Sequence, residues 1–182
     1  MKRTLRIGLI AGATAALLAS GTALSQDPPF GADEDIAYAG DLWEAMVAAK
    51  LAGPSQIYSR PYEGMEPHGF VLETFFDEIT VGGHTGAVVV KRNYGPEGVS
   101  IDEATNDPAK HLAAVTVMFQ REDGFDPDTN NWFWVKYLPD GSLDQNPAGR
   151  KLAGMIGKGG DAGCIPCHTG AGDDFLFTTD RL

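Results

Sequence analysis

The residues most able to do chemistry lie in one pentapeptide near the end of the chain, Cys164-Ile165-Pro166-Cys167-His168. Two thiols three positions apart can each form a thioether with one vinyl group of a single haem. The histidine directly after the second thiol then falls under the ring, where its imidazole can ligate the iron. C-x-x-C-H is the attachment signature of haem c. The 182-residue chain has 2 cysteines in all, both here, which excludes a multi-disulfide scaffold and a four-cysteine zinc or iron–sulfur site. Three other readings stay open. A thioredoxin-like redox pair would sit early, after a strand of a βαβ unit. A zinc site would need a further ligand from His68, His84 or His111. A disulfide across so short a loop would add little stability.

The tail after His168, TGAGDDFLFTTDRL, holds neither Met nor His. A distant downstream axial Met, as in small electron-transfer cytochromes c, is therefore excluded. His168 is expected to be the proximal iron ligand, with the opposite position open or weakly held. Met118 lies in an apolar strand and Met155 beside the haem motif, and both read as packing. His68, between Pro67 and Gly69, and His84, in GGHTG, read as loop residues. His111, before a strand, reads as a surface residue or a distal ligand.

These groups need elements to position them. Lys2, Arg3 and Arg6, then the apolar run IGLIAGATAALLA, then small residues at Ala23 and Ser25, form a tripartite secretory leader over 1–25. The run is shorter than the ~20 apolar residues of a membrane span. Export agrees with haem attachment outside the cytoplasm, and the periplasm is the expected location. Residues 26–38 read as an acidic, proline-bearing extended arm. Residues 39–182 read as one domain. A helix is expected over 41–51, capped by Asp41 and stopped by Gly53-Pro54. Strands are expected over 71–81, 87–93, 113–122 and 132–138, the first two as a hairpin across a glycine-rich loop. GRKLAGMIGK reads as a second short helix, and GKGGDAG as a loose lead-in without phosphate-loop spacing. That order makes the fold class α+β, an antiparallel sheet with a few helices and a C-terminal haem segment. On the last strand Trp132 and Trp134 share one face, with Phe133, Val135 and Tyr137 on the other. The formal charge of −11 argues against a nucleic acid or an anionic membrane as partner.

The combination resembles the cytochrome P-460 and β-type cytochrome c-prime family, in which a sheet-rich domain carries a C-terminal haem c motif. GAVVVKRN is similar to the family's strand ending in Val-x-Val-Lys. Asn131-Trp132 with FWVKYLPDG is similar to its aromatic strand. CIPCH with Asp174-Phe175-Leu176-Phe177-Thr178 is similar to its haem motif and tail. The resemblance implies one covalent haem c held by Cys164 and Cys167 with His168 on the iron. It also implies a lysine, here Lys91, bonded to the haem edge, and oxidation of hydroxylamine with nitric oxide chemistry. A periplasmic redox partner and a homodimer built on sheet faces follow from it too. Ala87 and Val89, on the face of Lys91, are small enough to let a haem edge approach. The family's distal carboxylate has its counterpart near Thr116, with Met118 next on that face, and Glu122 lies only at the strand end. A distal side of Phe119, Phe75 or Phe76 would instead resemble the β-type c-prime proteins, which bind small gases. A plain electron-transfer cytochrome is the remaining alternative, favoured by a strong sixth ligand.

Overall fold

The computed structural model describes residues 29–177. The expected leader over 1–25, the start of the arm and Thr178 lie outside these residues.

The first helix, α1 (Asp33–Ala48), begins well before Asp41. Residues expected in an extended arm are its first turns. Asp33, Glu34 and Asp35 lie where the helix dipole favours negative charge. The Asp35 carboxylate accepts the Ala32 N–H at 3.3 Å, satisfying one of the donors that a helix start leaves bare. The prolines fall before the helix and do not interrupt it. Ala39, Leu42 and Met46 make its buried stripe.

Six antiparallel strands follow, each beside its chain neighbour. They are β1 (Tyr62–Glu63), β2 (Val71–Val81), β3 (His84–Tyr94), β4 (Leu112–Gln120), β5 (Trp132–Tyr137) and β6 (Ala153–Gly154). With its helices this makes the fold α+β. Gly82 and Gly83, at φ 59° and 87°, form the two-residue turn whose twist suits a hairpin. The ladder therefore runs to Val81↔His84, three residues beyond the expected strand start. Between β3 and β4 lie two short helices that the sequence analysis leaves out, α2 (Ile101–Asn106) and α3 (Pro108–His111). Ser100 and Glu103 cap α2 reciprocally, at 3.2 and 2.9 Å, the signature Ser-x-x-Glu. GRKLAGMIGK is not a helix. Lys151 bridges Gln145, and Ala153 and Gly154 pair with Val135 and Trp134. Gly154, at φ 109°, sits where a Cβ would meet the Asp35 carboxylate, so a helix is refused there.

One face of the sheet packs on α1. Val88, Val90, Val115, Val117, Phe119, Phe133 and Val135 are buried with Leu42 and Met46, and the Tyr137 hydroxyl donates to Ala39 O at 2.7 Å. A buried ion pair closes the end of this face. Arg92 Nη1 meets Glu73 Oε2 at 2.9 Å, both fully buried. Arg92 also donates to Ile57 O at 2.7 Å and Leu51 O at 2.8 Å. Glu73 accepts from the Tyr94 hydroxyl at 2.7 Å and from the Ser59 N–H. Burial, with Glu73 beside it, pushes the Tyr94 phenol well up. The pair ties the segment after α1 to β2 and β3.

Removing one member of a buried pair leaves an uncompensated charge, which costs about 3–5 kcal/mol. Arg92→Met is expected to lower the unfolding free energy by that amount in a urea titration. A loss under ~1 kcal/mol, the worth of an exposed pair, would refute the structural role given to Arg92.

Candidate haem-binding site

The opposite sheet face carries the chemistry. Directly paired residues of antiparallel strands share a face, and the register sets out two rows. One runs Thr74–Lys91–Thr116–Lys136, the other Phe76–Val89–Met118–Trp134. Against this floor lies α4 (Cys164–His168). Ile165 anchors it, buried with Ile156 and Trp134, and the Ile165 N–H donates to Ile156 O at 3.1 Å.

His168 is buried, and its Nδ1 lies 2.7 Å from Phe175 O. A carbonyl can only accept, so Nδ1 carries the proton and Nε2 keeps its lone pair for a metal. Burial pulls the ring below the usual histidine range, the Phe175 carbonyl pushes the other way, and the Lys91 charge adds to the lowering. Trp134 stands edge-on to His168 at 5.0 Å between ring centres, and Phe177 at 5.1 Å.

His68 stands on the same site, its ring 6.0 Å from that of His168 and at 90° to it. Its Nδ1 lies 3.3 Å from Thr116 Oγ1, which also meets Asn93 Nδ2 at 3.4 Å. Burial, then the charges of Lys91, His168 and Lys136, pull His68 down to about 4, so the ring is neutral at neutral pH. Read in sequence as a loop residue beside Pro67 and Gly69, His68 reaches the site only because its loop folds over Thr116. Spacing carries no signal for that contact.

Both histidines line a cleft of about 590 Å³ together with Cys164, Cys167, Lys136 and Ile156, within the roughly 300–1,000 Å³ of ligand and cofactor sites. A narrower gap of about 30 Å³, lined by Lys91, Thr116, Met118, Val89 and Trp134, has room for about two waters. The structure thus brings Lys91, Thr116, Met118, Cys164 and His168 together, with Cys167 at the cleft. Phe76 lines the gap, but Phe75 and Phe119 lie on the α1 side. Their positions in the strands have the wrong parity for the distal side expected of them. His84 reaches Gln120 O at 3.1 Å, His111 lies 3.4 Å from Gly95 O, and Glu122 pairs with Arg121. None of these three lines the cleft or the gap. Met155 packs beside the Trp134 cluster, as expected. No carboxylate lines the gap, whereas Glu66, Glu97 and Asp144 line the cleft.

These residues fit a covalently held haem. Two thiols and a histidine with a free Nε2 face one cleft, on whose wall Lys136 is paired with Asp144 at 2.9 Å. Four buried side-chain polar atoms lack a hydrogen-bond partner among the described residues; Trp134 and Asn93 line the gap and the cleft, whereas Tyr38 and Arg92 lie on the α1 side. The zinc reading has no ligand set, because among the described residues no three His, Cys, Asp or Glu side chains cluster to hold a metal ion. A reactive redox pair needs a lowered thiol pKa, and burial instead pushes Cys164 up to about 11. Both cysteines are free. Trp132 and Trp134 are buried within the chain, so the aromatic surplus of β5 does not by itself require a second copy.

A comparison with protein-family models, curated proteins and solved structures finds no match to this chain. Among the described residues no helix is long and apolar enough to cross a membrane.

The two thiols differ in exposure and acidity, which a labelling experiment reads directly. In the haem-free chain at pH 8, Cys167, which is exposed, is expected to react with iodoacetamide at least ~10-fold faster than Cys164, whose thiolate is scarce. Peptide mass spectrometry over time measures this. Equal rates would contradict the burial of Cys164.

Proposed function

We propose that this chain is an exported, monohaem c-type cytochrome similar to the cytochrome P-460 family, acting as an oxidoreductase on small nitrogen compounds such as hydroxylamine or nitric oxide. The single observation that carries the reading is His168. It is buried beside Cys164 and Cys167, with Nδ1 committed to Phe175 O and Nε2 left for iron. Cys164 and Cys167 are the thioether anchors. The haem supplies an iron centre that binds small ligands and exchanges single electrons.

The chain's own residues shape what can reach that centre. Val89, Met118 and Trp134 make an apolar wall, and the gap beside them admits only small molecules. In this reading Lys91, flanked in its row by Thr74 and Thr116, would meet the haem edge. The acidic exterior suits a soluble periplasmic redox partner with a basic face. One observation favours the gas-binding alternative of the β-type c-prime kind. No carboxylate lines the gap, and hydroxylamine oxidation needs a proton acceptor within hydrogen-bond reach.

In cells competent for haem attachment, the intact mass after acid extraction is expected to exceed the processed chain by one haem. Cys164→Ala with Cys167→Ala is expected to abolish the increment. A mass equal to the bare chain would end the reading. The holoprotein then separates the two chemistries. If Lys91 is bonded to the haem, proteolysis yields a haem fragment holding both the CIPCH and the Lys91 segments. Lys91→Ala then reduces that fragment to CIPCH alone and abolishes hydroxylamine oxidation. Haem on the CIPCH peptide alone in the unmodified protein, with reversible nitric oxide binding, selects the gas binder.

A further inference from the structure

We infer that His68 is the second axial ligand of the haem iron, on the face opposite His168. The inference rests on the haem reading above and adds to it the coordination state of the iron.

Two imidazoles on opposite sides of one metal ion, at metal–nitrogen bonds of about 2.0 Å, hold their ring centres about 6 Å apart. The rings of His68 and His168 are 6.0 Å apart. Each has its Nδ1 engaged by the protein, His168 with Phe175 O at 2.7 Å and His68 with Thr116 Oγ1 at 3.3 Å. The carbonyl leaves His168 Nε2 for a metal, and His68 has its Nε2 for one when Nδ1 donates to Thr116 Oγ1, whose own hydroxyl donates to Lys91 O at 3.4 Å; outer partners of this kind orient ligating imidazoles. Both rings line the cleft that Cys164 and Cys167 also line, the cleft that a haem bonded through those thiols would fill.

The other donors are less well placed. His84 and His111 face neither the cleft nor the gap. Met118 lines the gap but is buried in the apolar cluster of Val89 and Trp134. His68 rides on a loop rather than a strand. That loop is closed by the Gly64 N–H on Phe70 O at 2.7 Å, and the His68 N–H meets Met65 O at 3.2 Å. A ligand on such a loop can leave the iron without breaking the sheet. Small molecules would then bind by displacing His68, which makes access to the iron conditional on the loop.

The test uses the haem-loaded protein and reads spin state. The wild-type protein is expected to be low-spin in both oxidation states, by optical and electron paramagnetic resonance spectra. His68→Ala is expected to be high-spin, and added imidazole to restore the low-spin spectrum. Carbon monoxide should bind ferrous His68→Ala at least about tenfold more tightly, because the competent five-coordinate form is a minor fraction of the wild type. His68→Gln, which keeps a polar side chain beside Thr116, should match His68→Ala in spin state if the alanine variant fails to fold. A high-spin wild type with one haem in its mass overturns the inference and leaves the haem reading standing. A low-spin spectrum persisting in both variants also overturns it and points to Met118. A mass without haem overturns both.

Discussion

Residues paired across antiparallel strands must point to the same side of the sheet, and that constraint organises this molecule. The register between β2, β3, β4 and β5 is continuous through Phe76, Val89, Met118 and Trp134. One slipped residue would exchange the two faces of a strand, sending Lys91 and Thr116 toward α1 and Val90 and Val115 toward the cysteines. The register is pinned at both ends. At one end Gly82-Gly83 sets the hairpin. At the other, Arg92 and Glu73 pair directly across β2 and β3 and are sealed under the segment after α1. A buried pair is weak evidence for stability but a strong specifier of register, since a slip would bury each charge alone.

With the α1 side filled, the second face is covered by α4, its flanking loops and the loop that carries His68. A five-residue helix has no stability of its own, so the cover is held by packing and a few bonds. Ile165 and Ile156 are buried against Trp134, each worth about 1.5–3 kcal/mol if fully removed from water. The Trp132 indole donates to Asp174 O at 3.1 Å, tying the tail to β5. Lys158 bonds the buried Asp126 of the β4–β5 connection, and so fixes the start of the lead-in to α4. This side is the more lightly built half of the described residues.

Much of this was legible because the central strands are two-sided. Alternation puts Lys91 with Val89 on one face of its strand and Met118 with Thr116 on one face of the next, and the structure brings the four together beside His168. The same parity puts Phe119 and Phe75 on the α1 side, where aromatic character alone gives no face. Glu73 and Arg92 carry no such signal, because charged residues are solvated by default and nothing local marks a pair joined across strands. The helix over 33–40 was hidden by its acidity, which reads as an unstructured arm unless the preference of a helix start for carboxylates is weighed. His68 was out of reach for a different reason: its role depends on where a loop lands, and loop chemistry beside Pro67 and Gly69 encodes a turn, not a destination.

The tail after His168 belongs to the site as much as the pentapeptide does. Phe175 adopts φ 62°, a left-handed conformation that costs an ordinary side chain roughly 1–2 kcal/mol. Its own N–H bonds Gly172 O at 3.1 Å, its ring packs against Trp134, and its carbonyl thereby turns back onto His168 Nδ1. Strain of this kind persists where surrounding contacts over-determine it, and it gathers at functional sites. Here it has an identifiable product: one tautomer of one imidazole, with Nε2 directed away from the backbone. A histidine following a cysteine pair is common in sequences, and a partner on one ring nitrogen is what fixes its tautomer and orientation. In this chain a strained carbonyl seven residues downstream holds that nitrogen, and the left-handed turn at Phe175 is the local price of an imidazole with a fixed orientation.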